Sequence, residues 1–263
     1  MTAAADSDLQ SALRGRGIVV TRPAHQAEAL CQLLEAAGAC ALRFPVIEIQ
    51  PAKNPSALQV QLQRLSAYDT AIFISANAVE QTFALLPPQN WPAQVKIAAV
   101  GSATARRLEE HGLVVTSCPA SGFSSEALLA LPEFQQLQGR RILILRGEGG
   151  REQLRDALVA RGAQVDYLEL YRRVTASSDP APLLTQWQAG AIDAVLLTSA
   201  EGLRSLQAII GTLGMQLLRS TCMVVAHARI RDLAKSLGHS GAVVVAADAT
   251  DAAMLEALRQ HFS

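Results

Sequence analysis

The chain lacks an excess of charge of either sign, because its 263 residues include 23 Lys and Arg and 23 Asp and Glu. A protein that binds nucleic acid has a net basic surface, so this balance argues against nucleic acid as a partner. It still allows a local cationic pocket for a small anion. Long hydrophobic runs are missing too: no apolar stretch approaches the roughly 18 residues of a membrane-spanning helix, and we expect no membrane contact.

Cysteine is scarce. Cys31, Cys40, Cys118 and Cys222 have neither C-x-x-C spacing nor a nearby His in a ligand pattern, so we predict small buried hydrophobic residues and no metal site. The N-terminal segment M-T-A-A-A-D-S-D contains two acids and no apolar run, which differs from a signal peptide. We therefore expect a cytoplasmic protein whose residues 1–15 form a frayed leader.

Motifs of common catalytic machineries are also absent. The sequence contains no G-x-S-x-G, H-E-x-x-H or G-K-[ST], which excludes the hydrolase-triad, zinc-protease and P-loop classes. R-G-E-G-G-R (146–151) resembles a dinucleotide fingerprint only loosely, because Glu152 stands where the third glycine belongs. We therefore reject NAD binding.

What the chain does contain is an internal repeat at an offset of 124 residues, for example Asp69 with Asp193. The segment G-I-V-V-T-R (17–22) matches R-I-L-I-L-R (141–146) at this offset, and the register slips by one further along. The period is far longer than that of solenoids or propellers. It indicates duplication of half a protein, and predicts two similar lobes with a cleft between them.

Short apolar segments alternate with helical patterns along the whole chain, which is typical of parallel sheets covered by helices on both faces. We predict an α/β fold of two similar domains. The predicted strands are 18–21, 70–74, 97–100, 113–115, 142–145, 194–197, 223–226 and 243–246, and the helices include 103–111, 152–161 and 230–237.

Two strand-like segments, 44–49 and 168–174, are each followed by a proline-rich stretch and are candidate crossings between the domains. The first contains Pro45, which disfavours a central strand. If both segments cross, the domains are discontinuous. A single cut near residue 136 is the alternative.

Ser75 and Ser199 each end a predicted strand and precede a helix. Ligands bind at this edge of a parallel sheet, and a serine there either contacts an anion or only caps the helix. A-V-G-S-A-T-A (99–105) offers Gly101 for close backbone approach, with Ser102 and Thr104 as anion contacts. The repeat aligns Ala226 with the glycine and His227 with Ser102. His227 is then an acid/base group, an anion contact or an ordinary turn histidine.

Arg146 and Arg151 suit carboxylate binding by bidentate pairing, and Arg22 is the duplicate of Arg146. The alternative for this loop is a solvated turn. Tyr171, on the second crossing segment, is a candidate proton donor to a departing hydroxyl, or else a packing residue between the lobes.

Taken together and in order, the motifs resemble the uroporphyrinogen-III synthase family across residues 16–260. The matching segments are V-T-R-P (20–23), F-P-V-I-E-I (44–49), I-S-A-N-A-V (74–79), A-V-G-S-A-T-A (99–105), S-G-F-S-S-E-A-L-L (121–129), R-G-E-G-G-R (146–151), Y-R-R (171–173) and L-T-S (197–199). The resemblance implies two α/β domains joined by a two-stranded linker. Domain 1 is then 1–40 with 175–263, domain 2 is 50–168, and the linker strands are 41–49 and 169–174.

The resemblance also implies a reaction. Hydroxymethylbilane, a linear tetrapyrrole, closes to uroporphyrinogen III with inversion of its last ring and loss of water, without a metal or organic cofactor. Tyr171 would assist departure of the hydroxyl, and Ser199 would lie in the cleft. We expect a monomer, which either works alone or receives its substrate by transient contact with hydroxymethylbilane synthase.

Two other interpretations stay open. One is a two-lobed cytoplasmic binding or regulatory protein that binds a small molecule without catalysis. The other is a weakened synthase, because A-H-A (226–228) replaces a turn in which family members often carry a hydroxyl.

Overall fold

The computed structural model describes residues 12–121, 124–150 and 152–263, so that Arg151 and most of the expected leader lie outside the described residues. The chain forms two compact units. Unit 1 combines the chain up to Glu48 with Val174–Ser263, and unit 2 is Ile49–Arg173. The linker role of 41–49 and 169–174 stays a prediction.

Unit 1 contains a five-stranded sheet in the order β2-β1-β8-β9-β10, in which the neighbouring strands are parallel. Its strands are β1 (Gly17–Val20), β2 (Cys40–Arg43), β8 (Ala194–Leu197), β9 (Cys222–Val225) and β10 (Val243–Val245), and its helices are α1 (Ala24–Ala36), α7 (Ala181–Gln188), α8 (Ala200–Leu218), α9 (Ala228–Ser236) and α10 (Asp251–Phe262).

Unit 2 is built around a sheet in the order β3-β7-β6-β4-β5. Its strands are β3 (Ile47–Pro51), β4 (Thr70–Phe73), β5 (Lys96–Ala99), β6 (Arg141–Gly147) and β7 (Gln164–Thr175), and its helices are α2 (Pro55–Leu62), α3 (Ala76–Leu85), α4 (Ser102–Glu110), α5 (Ser125–Leu129) and α6 (Gln153–Ala160). The strand after Pro45 lies at the edge of this sheet, as expected of a segment interrupted by proline.

Alternate residues of each strand enter different cores, because successive strand side chains point to opposite faces. In unit 2, Phe73 and Leu145 pack against α2, α3 and α4, whereas Ile72 and Ile144 pack against α5 and α6. One face of the unit 1 sheet packs in the same way against α1 and α10. Burial on both faces explains why the strands are continuous apolar runs, and the α/β fold with parallel sheets is confirmed.

The duplication appears directly in the strand registers. Ile18 pairs with Ala194 in unit 1, and Ile142 pairs with Thr70 in unit 2, which are the same pairings after exchange of the two halves at the 124-residue offset. Each half of the sequence therefore supplies strands to both units.

Three sequence-based predictions were wrong or incomplete. No strand forms over 113–115, where Val114 is exposed, and the chain instead meets β5 through a bridge between Ala98 and Ser117. Strand β2 was predicted only as part of the linker strand 41–49 and not as a strand of the unit 1 sheet, because its four residues are only half-buried or exposed. Cys40 is exposed rather than buried, unlike Cys222, whose pKa is raised to about 11 by burial.

Candidate functional site

Each sheet has a switch point between two neighbouring strands. From one of these strands the chain continues to the next strand on its left, and from the other it continues to the next strand on its right. In unit 1 the switch point lies between β1 and β8, and in unit 2 between β6 and β4. Open α/β sheets bind ligands beyond the carboxyl ends of the strands at such points. Four of the candidate residues lie there: Arg22 and Ser199 in unit 1, and Ser75 and Arg146 in unit 2.

In unit 2, Ser75 and Tyr171 are in direct contact. The Ser75 hydroxyl caps α3 by accepting from the Ala78 N–H at 3.2 Å, and it lies 2.9 Å from the Tyr171 hydroxyl. Arg173 donates to the same Tyr171 oxygen at 3.0 Å, and its guanidinium is 5.4 Å from the centre of the ring. Tyr171 is 1% exposed, whereas Arg173 is exposed. Two candidates thus meet in one network, with an arginine that was not predicted.

A glycine makes room for the Tyr171 ring. The β6–β7 register shifts between Arg146 and Gly147, and Gly147 then pairs with Tyr171. A Cβ atom at Gly147 would lie 2.6 Å from Tyr171 Cε2, so any larger residue collides with the ring. The Glu148 N–H donates to the Tyr171 carbonyl at 2.6 Å, which fixes the backbone on the same side.

Arg146 lies near the end of β6, and its side chain, which is only 7% exposed, packs against the loop that follows. It donates to the Gly149 carbonyl, lies 3.3 Å from a Glu152 carboxylate oxygen, and stacks 4.3 Å from the centre of the Tyr167 ring. A hydrogen bond from the Tyr167 hydroxyl, with the nearby Arg146 charge, lowers the pKa of Glu152. This arginine is therefore neither a solvated turn residue nor an open cation.

The turn after β5 places Gly101 at the N-cap of α4, Ser102 exposed in the first turn, and Thr104 buried. The corresponding turn of unit 1 places His227 at the N-cap of α9. Thr70 pairs with Lys96, and Ala194 pairs with Cys222, so β5 and β9 correspond at 126 residues rather than 125. The predicted alignment was therefore wrong by one: His227 replaces Gly101.

This corrected alignment pairs Ser102 with Ala228 and Thr104 with Ile230. Thr104 and Ile230 are both buried, so this is a core position in either unit. His227 is exposed, and its side chain does not cap α9. The pKa of Asp248 is lowered mainly by hydrogen bonds from Thr250 and to a smaller degree by the charge of His227.

At the switch point of unit 1, Ser199 caps α8 by accepting from the Gly202 N–H at 2.9 Å. That bond is the one hydrogen bond of its hydroxyl within the described part of the chain. Thr21 joins the two strands by donating to the Leu196 carbonyl at 2.6 Å. Arg22 forms an ion pair with Asp251 and donates to the Ala249 carbonyl at 2.8 Å, which leaves its side chain 14% exposed.

The sequence contained one signal for Arg173, the site residue that was not predicted. Tyr171 and Arg173 are two residues apart on a strand, so their side chains project from the same face.

Among the residues that the structure describes, no cluster of His, Cys, Asp or Glu could hold a metal ion, and no helix has the length and apolar character needed to cross a bilayer. The fold therefore defines a duplicated α/β protein with one switch point in each unit.

Comparison with known proteins gives the family. The family model described as "Uroporphyrinogen-III synthase HemD" matches residues 28–256. Uroporphyrinogen-III synthases of Salmonella typhimurium and Escherichia coli are 36% and 37% identical over 246 residues, which is 92% of this chain and 99% of each relative. The chain belongs to the uroporphyrinogen-III synthase family.

Solved structures agree on the fold. A mutant uroporphyrinogen III synthase from Thermus thermophilus has a TM-score of 0.60 at 20% identity, covering 93% of this chain and 98% of the other. The Helicobacter pylori enzyme has a TM-score of 0.59 at 16% identity, covering 92% of this chain and 97% of the other.

Proposed function

We propose that the protein cyclises hydroxymethylbilane to uroporphyrinogen III, with inversion of the last ring and loss of water, and that the hydroxyl leaves at the switch point of unit 2. The observation that carries the proposal is the contact between Tyr171 and Ser75, because it places two hydroxyl groups at the ligand-binding edge of a parallel sheet.

This chemistry needs little from the protein beyond a proton and a fixed substrate. Departure of the hydroxyl leaves an azafulvene cation that the pyrrole stabilises, so no protein nucleophile is required. The last ring is then attacked at its substituted carbon, which gives a spiro intermediate. Catalysis of this kind depends on positioning, and the lack of a catalytic triad in the sequence is consistent with it.

The bilane carries acetate and propionate carboxylates on every ring, so it requires several anion contacts. The free N–H groups at the start of α4, with Gly101 and Ser102, are candidates in unit 2. In unit 1 the candidates are Ser199 and His227, at the starts of α8 and α9. Arg22 and Arg146 are weaker candidates, because carboxylates of the protein already pair with them.

The test is a product analysis. Purified protein is incubated with freshly generated hydroxymethylbilane, the products are oxidised, and the isomers are separated by chromatography. Because the bilane closes to the type I isomer without enzyme, a type III product formed faster than the blank supports the proposal. Type I alone at the uncatalysed rate would instead favour a binding protein without catalysis.

A further inference from the structure

Tyr171, the candidate proton donor from the sequence, is less accessible than the Ser75 hydroxyl that it contacts. Tyr171 is 1% exposed, whereas Ser75 is half-buried at the N-cap of α3. A substrate at the carboxyl edge of the sheet would therefore meet Ser75 before it met the phenol. The direction of the hydrogen bonds between them decides which group can give up a proton.

A count of donors and acceptors fixes that direction. Arg173 can only donate, so the Tyr171 oxygen accepts from it. If Ser75 also donated to Tyr171, the phenolic proton would be buried without an acceptor among the described residues, which is costly. If Tyr171 donates to Ser75, the phenol is satisfied. Ser75 then accepts twice, from Tyr171 and Ala78, and its own proton is free to point outward.

We infer that Ser75 delivers the proton to the departing hydroxyl of the substrate, that Tyr171 replaces that proton, and that Arg173 sets the direction of the transfer. The inference rests on the proposed function. It makes Ser75 the catalytic residue at this step, and Tyr171 and Arg173 positioning residues that act through it.

The transfer balances in atoms and charge. The bond between the hydroxymethyl carbon and its oxygen breaks, the electron pair goes to oxygen, and the Ser75 proton completes a water molecule. The Tyr171 proton moves to Ser75 Oγ, and the resulting phenolate is paired with the Arg173 guanidinium. In the spiro intermediate, the bond between the substituted carbon of the last ring and its original methylene bridge then breaks, and that bridge is attacked by the unsubstituted carbon on the other side of the ring. This second carbon loses its proton, which returns through Ser75 to Tyr171.

Kinetics of single and double variants test this order. We expect Ser75→Ala and Tyr171→Phe each to lower kcat about 100-fold, within the usual range for loss of a general acid. The double variant should lose no more than either single one, because both remove the same pathway. Ser124→Ala is the matched control, since Ser124 caps α5 in the same unit by accepting from the Ala127 N–H at the same 3.2 Å. It should lose a helix cap and keep kcat.

Two readouts separate a relay from a structural effect. In mixtures of light and heavy water, kcat of the wild type should follow a curved dependence on deuterium fraction, because two protons move, and kcat of Tyr171→Phe a straight line. Arg173→Met should lower kcat about 10-fold at unchanged KM, and Arg173→Lys, which still donates, should restore most of it.

Three results would overturn the relay. They are an unchanged kcat in Ser75→Ala, a double variant whose losses multiply, and a straight isotope line in the wild type. Each can occur while the wild type still makes the type III isomer, so that the proposed function would survive. Type I alone from the wild type would overturn both.

Discussion

The two units carry the same scaffold at their switch points but differ in polar side chains. In both, a serine ends a central strand and caps the next helix. In unit 2 that serine contacts Tyr171, which Arg173 supports. At the 124-residue offset, the first half of the sequence has Ile47 and Ile49 in place of these two residues, on the edge strand β3. Duplication preserved the cap, which helix stability requires, and the hydroxyl network is present in one copy.

The duplicated arginines, like the two serines, have a structural role in both units. Arg22 lies just after β1 and Arg146 near the end of β6, the first strand of each half, and both are held by carboxylates of their own unit. Their retention in both copies thus has a structural explanation, namely that each anchors the chain beyond a strand end. Retention of a charged residue in a duplicated sequence is therefore weak evidence for substrate binding.

The largest effect should come from Gly147→Ala compared with Gly17→Ala. The new Cβ would lie 2.6 Å from the Tyr171 ring in the first case and 1.7 Å from the Ala191 carbonyl oxygen in the second. Each should lower the free energy of unfolding by about 1–3 kcal/mol or more through overpacking. Only Gly147→Ala should also lower kcat per folded molecule. Equal kcat values for the two variants, measured on protein that is fully folded by circular dichroism, would contradict the assignment of the reaction to the Tyr171 site of unit 2.

Next in size is the comparison of Arg146→Met with Arg22→Met. Arg146 is more buried and donates to the Gly147 and Gly149 carbonyls, so its removal leaves these groups unsatisfied and we expect a loss of about 1–3 kcal/mol in the free energy of unfolding. Arg22→Met should lose about 1 kcal/mol. Urea unfolding gives both values. A KM that rises in either variant without loss of stability would instead assign that arginine to the substrate.

Ser75→Ala and Ser199→Ala should have a smaller, equal effect on stability, about 1 kcal/mol each, since both lose a helix cap. Their kinetics should differ: kcat falls in Ser75→Ala, and KM rises in Ser199→Ala. If instead both variants lower kcat alike, the two switch points take part equally in the chemistry.

The smallest effect concerns acid stability. Arg107 lowers the pKa of Glu80 below its usual 4.5, and His111 adds to the shift. A carboxylate with a lowered pKa stabilises the fold above its unfolded pKa, and this contribution is lost as the pH falls through the folded pKa. The positions that correspond in unit 1 are Arg204 and Leu233, which form no such pair.

In Glu80→Gln, the free energy of unfolding should therefore fall less steeply as the pH is lowered. The difference should be only a few tenths of a kcal/mol, because the pair of Glu80 and Arg107 is well exposed. Hydrogen exchange of α3 and α4, followed between pH 6 and about pH 3, measures it locally. The amides of α8 and α9 are the internal control. An unchanged pH dependence in α3 and α4 would mean that solvent already screens this pair.

Much of the fold was predictable, because the strands of a covered parallel sheet are short apolar runs and the duplication supplied each pattern twice. Ala194–Leu197 was predicted to the residue. The failures have local causes: β2 lacks an apolar pattern, and 113–115 is apolar in sequence without being paired. The alignment of His227 was wrong because the offset between the two halves grows from 124 residues at β4 to 126 residues at β5. The sequence pattern indicated an offset of only 125 there.

The site was less predictable, because its residues meet only after folding. Ser75 and Tyr171 are 96 positions apart, and no local pattern joins them. Their contact depends on the length of β7 and on the register shift at Gly147. Arg173 was within reach of sequence reasoning, since Y-R-R places it two residues after the tyrosine, on the same face of a strand.

The most direct test of the account is a product analysis run in parallel on the wild type and Tyr171→Phe with freshly generated hydroxymethylbilane. Because uncatalysed closure gives the type I isomer, a slow enzyme loses the competition and the isomer ratio reports the loss. We predict mainly type III from the wild type and mainly type I from Tyr171→Phe. Type III from the variant at the wild-type rate would contradict the assignment of the reaction to the hydroxyl network of unit 2.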